Sequence, residues 1–373
     1  MTVPRRALRP DAKVLPQHGR ASNRALVLQI LYSAEGASRA DVARATGLTR
    51  VTISEIVARL MAEGLVIETG SRGGGTPGKP AMLLEIDANA FHIIGIDLSE
   101  SGALRGALLD LRGRIVSRAQ RLEQLVGDDA VVAVGDVIAG LLAEATRPIL
   151  GVGVGTPGIV DHDGVVLNAP NLEWRDVPLR ARLAERFAQP IVVCNDANAA
   201  ALAEFGFGGG APDLLLVKVG RGVGAGLLLG GALLYGSVSA AGEIGHVVVG
   251  PDGGELCSCG KRGCLETWLA VPWLHLALER PGADRERILT TAGERLGLAL
   301  APVVGALNLG EVVLSGPPDL LDGPLLRAAI ATLDSRTLPE LHGDLRVRLS
   351  ALGDDIVLRG SALTVVSELL GVS

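Results

Sequence analysis

The chain has 373 residues, 48% hydrophobic and 20% charged, with 50 glycines and only 2% aromatic residues. That length and composition exclude a disordered or collagen-like chain and predict two or three domains with Ala/Val/Leu cores and many tight turns. The net charge of −6 is unevenly spread, with 12 Lys/Arg against 7 Asp/Glu in residues 1–85 and 23 against 34 in the remainder, so a polyanionic partner is expected at the basic end only.

Residues 1–22 read as an N-terminal arm carrying Arg5, Arg6 and Arg9. They lack the apolar run of a signal peptide, and no stretch of the chain approaches about 18 uncharged apolar residues, so a cytoplasmic address without membrane contact is expected. From Asn23 the pattern turns helical, with Leu26, Val27, Ile30 and Leu31 at helical spacing until Gly36. Ser38 is placed to cap a second helix, "RADVARAT", and Gly47 to make a tight turn. Thr49 is then placed to cap a third helix, "RVTISEIVARLMAEG". In that helix Ile53, Val57, Leu60 and Met61 share one face, leaving Arg50, Thr52, Ser54 and Arg59 elsewhere.

"GLVIETG" and "AMLLEID" read as the strands of a hairpin whose tip, "SRGGGTPGKP", is a cationic wing through Arg72 and Lys79. The whole of 23–88 therefore predicts a winged helix-turn-helix on double-stranded DNA, with Arg50, Thr52, Ser54, Arg59, Arg72 and Lys79 as the contacting residues. A trihelical interaction domain is the competing reading. The coincidence of turn, caps, polar face and basic wing favours DNA.

At about residue 89 the character changes. "FHIIGIDLSESGALRGALLDLRGRIV" reads as three strands joined by turns, and "DLLLVKVGRGVGAGLLLGGALLYG" repeats that arrangement. Such a duplication predicts two α/β halves facing a cleft, where ligands favour binding. The glycine-rich turn alone is weak support for a phosphate site, and neither a Walker A sequence nor a Rossmann fingerprint is present.

Three of the four cysteines lie close together and Cys194 stands apart, unlike a secreted disulfide framework. His246, Cys257, Cys259 and Cys264 have the spacing H-x10-C-x-C-x4-C, a closed set suited to structural zinc. A redox pair and an ordinary loop are the alternatives, and C-x-C lacks the two-residue separation of thioredoxin-type pairs. Gly253, Gly254, Gly260 and Gly263 let this loop (246–264) fold tightly, while Lys261 and Arg262 are expected to lower the thiol pKa values.

Taken in order, "GVGTPGIVD", "NAPNLEW", "CNDANAAALAE", "AGEIGH" and "CSCGKRGCLE" resemble the ROK family of repressors, open reading frames and kinases. With the N-terminal module included, the resemblance covers nearly the whole chain and is closest to the xylose- and N-acetylglucosamine-responsive regulators. It implies a duplicated, actin-like α/β body over 89–373, structural Zn2+, and a sugar site. The positions matching that site are Asn171, Asn195, Asp196, Glu243, His246 and Glu266. Asp196 also matches the base that takes a hydroxyl proton in the kinase members, here a vestige.

The kinase members carry an Asp-x-Gly-Gly-Thr phosphate turn, where this chain has "DLSESG": Asp97 followed by Ser99, Glu100 and Ser101. Arg221 and Ser315 replace further small residues of the nucleotide motifs. The expectation is a sugar-responsive repressor without enzyme activity, a homodimer or homotetramer on a palindromic operator whose effector is a sugar or sugar phosphate. The alternative is an ATP-dependent sugar kinase.

Overall fold

Local capping chemistry sets the first helices. Ser38 Oγ accepts from Asp41 N while the Asp41 carboxylate accepts from Ser38 N, a reciprocal capping box that starts α2 (Arg39–Thr46). Gly47, at φ +70°, takes the left-handed residue that ends it. Thr49 Oγ1 then accepts from Thr52 N to start α3 (Arg50–Ala62). Ahead of them, α1 (Pro16–Ser33) begins inside the stretch read as an arm, since a proline fits a first helical turn. The computed structural model describes residues 16–34, 36–71, 82–100, 102–250, 254–342 and 345–372.

Strands β1 (Ala37–Ser38), β2 (Val66–Ser71) and β3 (Met82–Ile86) form an antiparallel sheet in the order β1-β3-β2. Three helices with this sheet are a winged helix. Its core is Val27, Leu28, Leu31, Val42, Ile53, Val57, Leu60 and Leu84. Two expectations are corrected. Leu26 is 49% exposed and Met61 also lies outside the core, because adjacent helical stripes share i, i+4 spacing and only tertiary partners decide which is buried. The wing tip, with Arg72 and Lys79, lies outside the described residues.

The described residues divide into two compact units, one up to Ala90 together with those from Val366 onward, the other Phe91–Val365. The first unit thus includes the C-terminal end, where Gly371, at φ +71°, packs on Ala25.

The second unit holds the predicted duplication. β4 (His92–Asp97), β5 (Leu104–Asp110) and β6 (Ile115–Arg121) form an antiparallel meander. After α4 (Gly127–Glu144), β7 (Ile149–Thr156) joins β4 in parallel. An excursion follows through a small sheet of β8 (Ile159–Val160), β9 (Val166–Ala169) and β10 (Trp174–Val177) and through α5 (Leu179–Ala184). Then β11 (Ile191–Asn195) joins β7, giving the order β11-β7-β4-β5-β6.

Helix α6 (Asp196–Phe207) leads to the second half, where β12 (Leu214–Val219), β13 (Val223–Leu229) and β14 (Ala232–Leu233) repeat the meander. Helices α7 (Glu266–Leu269), α8 (Val271–Leu278) and α9 (Arg285–Leu307) precede β15 (Glu311–Ser315). Beyond α10 (Pro318–Leu321), α11 (Pro324–Arg336) and α12 (Pro339–His342), β16 (Arg346–Leu349) completes the order β14-β13-β12-β15-β16. Helix α13 (Ile356–Leu370) follows. Central strands such as β4 and β15 are buried throughout, which explains their nearly continuous apolar sequences.

Close helix packing depends on glycine. A Cβ on Gly153 of β7 would lie 1.9 Å from Ser361 O of α13, and one on Gly360 of α13 1.9 Å from Ala199 O of α6. Sheet and helices therefore meet backbone to backbone, with α6 held at the level where its N-terminus faces the cleft.

Candidate functional site

On α3 the side chains of Arg50, Ser54 and Arg59 are exposed, and among the described residues neither arginine has an ion-pair partner. Thr52 is half-buried, its hydroxyl 2.9 Å from Thr49 Oγ1, and Ser54 Oγ donates to Arg50 O. Sequence reasoning missed Val51, which is 69% exposed in the first turn of the same helix. An apolar residue there suits a thymine methyl, beside an arginine able to reach base edges or phosphate. Only its exposure in the fold separates it from a core valine.

The ligand atoms of His246, Cys257, Cys259 and Cys264 all lie within 4.8 Å of one another. Cys257 Sγ is 3.4 Å from His246 Nδ1, and Cys259 Sγ is 3.6 Å from Cys264 Sγ. Tetrahedral zinc with Zn–S of about 2.3 Å requires edges of roughly 3.5–3.8 Å, so the donor set fits such an ion. The tight loop uses Gly254 and Gly263 against each other: a Cβ on Gly254 would be 2.4 Å from Gly263 Cα. Gly253 lies outside the described residues.

The expected lowering of the thiol pKa values holds only for Cys259, where burial is outweighed by hydrogen bonds from the Lys261 backbone and the other thiols and by the Lys261 charge. Cys257 is raised, chiefly by burial, and Cys264 is pushed up to about 12 by burial and the two neighbouring thiols. Arg262 is no part of the balance. A divalent cation held by this cluster would convert its thiols to thiolates.

The cleft between the two halves has a volume of about 490 Å3, and all six expected sugar-site residues line it. Their side chains are not equally free. Asn195 caps α6, its Oδ1 accepting from Asn198 N and its Nδ2 donating to Gly158 O. Both ends of the Asn195 side chain are thus engaged in starting α6 and holding Gly158. Glu266 Oε2 accepts from Val223 N, and Oε1 accepts from Cys257 Sγ and Ser258 Oγ, tying the thiol loop to the cleft. Gly222 leaves room for this carboxylate, since a Cβ there would be 2.7 Å from Glu266 Oε2. Burial raises the pKa of Glu243, with His246 opposing and Asp196 and Glu266 adding to the rise.

One residue absent from the expected set stands at the centre. Lys218, near the end of β12, places Nζ 3.2 Å from Asp196 Oδ2, the side chains being 12% and 14% exposed. Asp97, 1% exposed, lies at the end of β4, where its Oδ1 accepts from Ser99 N. Burial raises its pKa, and the Lys218 charge opposes the rise. Ser315 is buried at the end of β15, and Ser101 lies outside the described residues.

The sequence pattern of the ROK family matches residues 93–367 and that of the MarR family residues 18–75. The putative xylose repressor of Caldicellulosiruptor sp. (strain Rt8B.4) is 30% identical over 390 residues, covering 93% of this chain and 96% of its own length. The glucokinase of Halalkalibacterium halodurans is 30% identical but covers 74% of this chain and 95% of its own. A crystal structure of a ROK family transcriptional regulator, a homologue of the E. coli MLC protein, has the same fold, with a TM-score of 0.81 at 23% identity over 95% of this chain and 97% of its own. With most of its length inside the family pattern, and with a repressor relative aligned over both of its units, the chain belongs to the ROK family.

Proposed function

We propose that this protein is a sugar-responsive, DNA-binding transcriptional repressor whose α/β body senses its effector and does not phosphorylate it. The observation that carries this reading is the extent of the two kinds of relative. The xylose repressor aligns with 93% of the chain, whereas the glucokinase aligns with 74%. The DNA-facing helix therefore belongs to the kind of protein this chain resembles end to end.

The nucleotide end of the cleft supports the same reading. Glu100 brings a carboxylate to the turn where phosphates would need donors, and Arg221, lining the same small pocket, fills a position suited to a small residue. In the body, Glu243, Glu266 and Asp196 offer acceptors to sugar hydroxyls, and Asn171 adds a neutral amide. His246 binds Zn2+ through Nδ1, leaving Nε2 for the cleft, so the metal orients a sugar-contacting group. The winged helix occupies a palindromic operator as part of a homodimer, and a sugar bound preferentially in one arrangement of the halves changes operator affinity. Coupling of about 1–3 kcal/mol corresponds to a 5–150-fold change. No helix among the described residues is long and apolar enough to cross a membrane.

The test measures binding to operator DNA by anisotropy across hexoses, pentoses, amino sugars and their 6-phosphates. One class of sugar is expected to shift the affinity, and Glu243→Ala to abolish that shift while leaving sugar-free DNA binding intact. A response unchanged in Glu243→Ala refutes the cleft assignment, and ATP-dependent sugar phosphorylation refutes the lost-kinase reading. Arg50→Ala is expected to weaken operator binding by about 1–3 kcal/mol per half-site and to reduce its salt dependence if the contact is to phosphate. Unaltered binding removes α3 as the reading helix.

A further inference from the structure

The ion pair at the centre of the cleft joins its two halves. Asp97 and Asp196 come from the first half, at the end of β4 and the start of α6, and Lys218 comes from β12 of the second. We propose that Lys218 is a built-in counter-ion, supplying from the protein itself the positive charge that a divalent cation with its nucleotide would otherwise bring to Asp97 and Asp196. This rests on the reading of the cleft as a kinase-derived ligand site that has lost its nucleotide.

The chemistry follows from the donors. Two carboxylates at the ends of neighbouring elements, Asp196 lining the polar cleft and Asp97 buried at the end of β4, are a hard oxygen set of the kind that holds Mg2+ or Mn2+ together with water and phosphate oxygens. Here Lys218 Nζ already lies 3.2 Å from Asp196 Oδ2. An ammonium on a four-carbon stem satisfies their charge but has no free coordination position through which a phosphate could be bridged. Burial by itself favours the neutral amine, but the charges of Asp196, Asp97 and Glu100 outweigh it and hold Lys218 protonated. A lysine buried among "LLLV" and "VG" is costly unless paired, and it pairs with Asp196 while the Asp97 charge adds to its stabilisation. The chain's other departures weaken the phosphate end, whereas Lys218 occupies it. The residues present therefore do not fit a metal-bound nucleotide, and the same ammonium struts the cleft across its floor.

The experiment titrates Mn2+ against the zinc-loaded full-length protein, without sugar or nucleotide, and reads free Mn2+ by electron paramagnetic resonance. Wild-type protein is expected to take up no Mn2+ that depends on Asp97. Lys218→Ala is expected to gain one Mn2+ equivalent, with affinity about tenfold or more above wild type, as removing one opposing charge next to two carboxylates demands. Adding Asp97→Asn to Lys218→Ala should abolish the gain, and Lys218→Arg, which keeps the charge, should not produce it.

Equal Mn2+ binding by wild type and Lys218→Ala overturns the proposal. So does wild-type binding that Asp97→Asn removes, a measurement available even if Lys218→Ala fails to fold. Because no sugar or DNA enters the titration, its failure is separate from failure of the regulatory reading, which is judged by the sugar-dependent operator shift.

Discussion

If the His246, Cys257, Cys259 and Cys264 cluster holds the proposed zinc, Cys264→Ser is expected to abolish metal binding and to lower the melting temperature of the body by about 10 °C, the equivalent of several kcal/mol for a domain of this size. Cys264 is the innermost of the four ligands, fully buried, and its Sγ lies 3.6 Å from Cys259 Sγ. With its pKa pushed up to about 12, it is a protonated thiol at neutral pH unless a cation displaces the proton. Metal uptake should therefore release protons, and affinity should fall as pH falls, since protons compete for the sulfur ligands. Elemental analysis of freshly purified protein and thermal unfolding with and without a chelator check both points. The effect should extend to the cleft, because Glu266 accepts a hydrogen bond from Ser258 of the same loop. A variant that keeps its metal and its melting temperature would remove the centre from the structural account.

The parts of this molecule governed by short-range chemistry were legible in the sequence. Ser38, Gly47 and Thr49 announce helix ends because a cap needs only its own first turn. The convergence of His246 and the three cysteines is legible for a similar reason, since a closed loop with fixed spacing nearly dictates it. The duplicated halves followed from repeated strand patterns, and both sheets have the same order.

What stayed hidden depends on partners far along the chain. Lys218 reads as an anomaly in an apolar strand until β12 is set beside the start of α6 and the end of β4. Glu204 on α6 and Glu311 on β15 look like surface carboxylates, yet both are fully buried and meet Arg348 of β16 at 2.8 Å each. Val366, Leu370 and Val372 are buried in a unit whose other part ends more than 270 residues earlier, a pairing no local pattern encodes. Asn195 shows the opposite limit. Its type suits sugar binding, but the fold uses both ends of its side chain to start α6 and to hold Gly158.

Two glycine-to-alanine changes in the body should move stability in opposite directions. Gly153→Ala puts a Cβ 1.9 Å from Ser361 O and 2.5 Å from the carbon of that carbonyl. No rotamer change relieves a clash with backbone, so α13 must move by roughly 1 Å, at a cost of about 3 kcal/mol or more. That shift would be passed on through Gly360, which meets Ala199 O with the same tightness, and so to α6 with Asp196 at its start. The variant should therefore lose sugar response as well as thermal stability.

Gly140→Ala is the internal comparison. Gly140 sits exposed in the interior of α4, and a Cβ there meets nothing within 4 Å. Removing the backbone entropy of glycine from an exposed helix should stabilise by about 0.5–1 kcal/mol. Both are read by chemical denaturation under one set of conditions. If the two substitutions shift the midpoint in the same direction, the close contact between β7 and α13 is not what fixes α6, and the path from Gly153 to Asp196 fails with it.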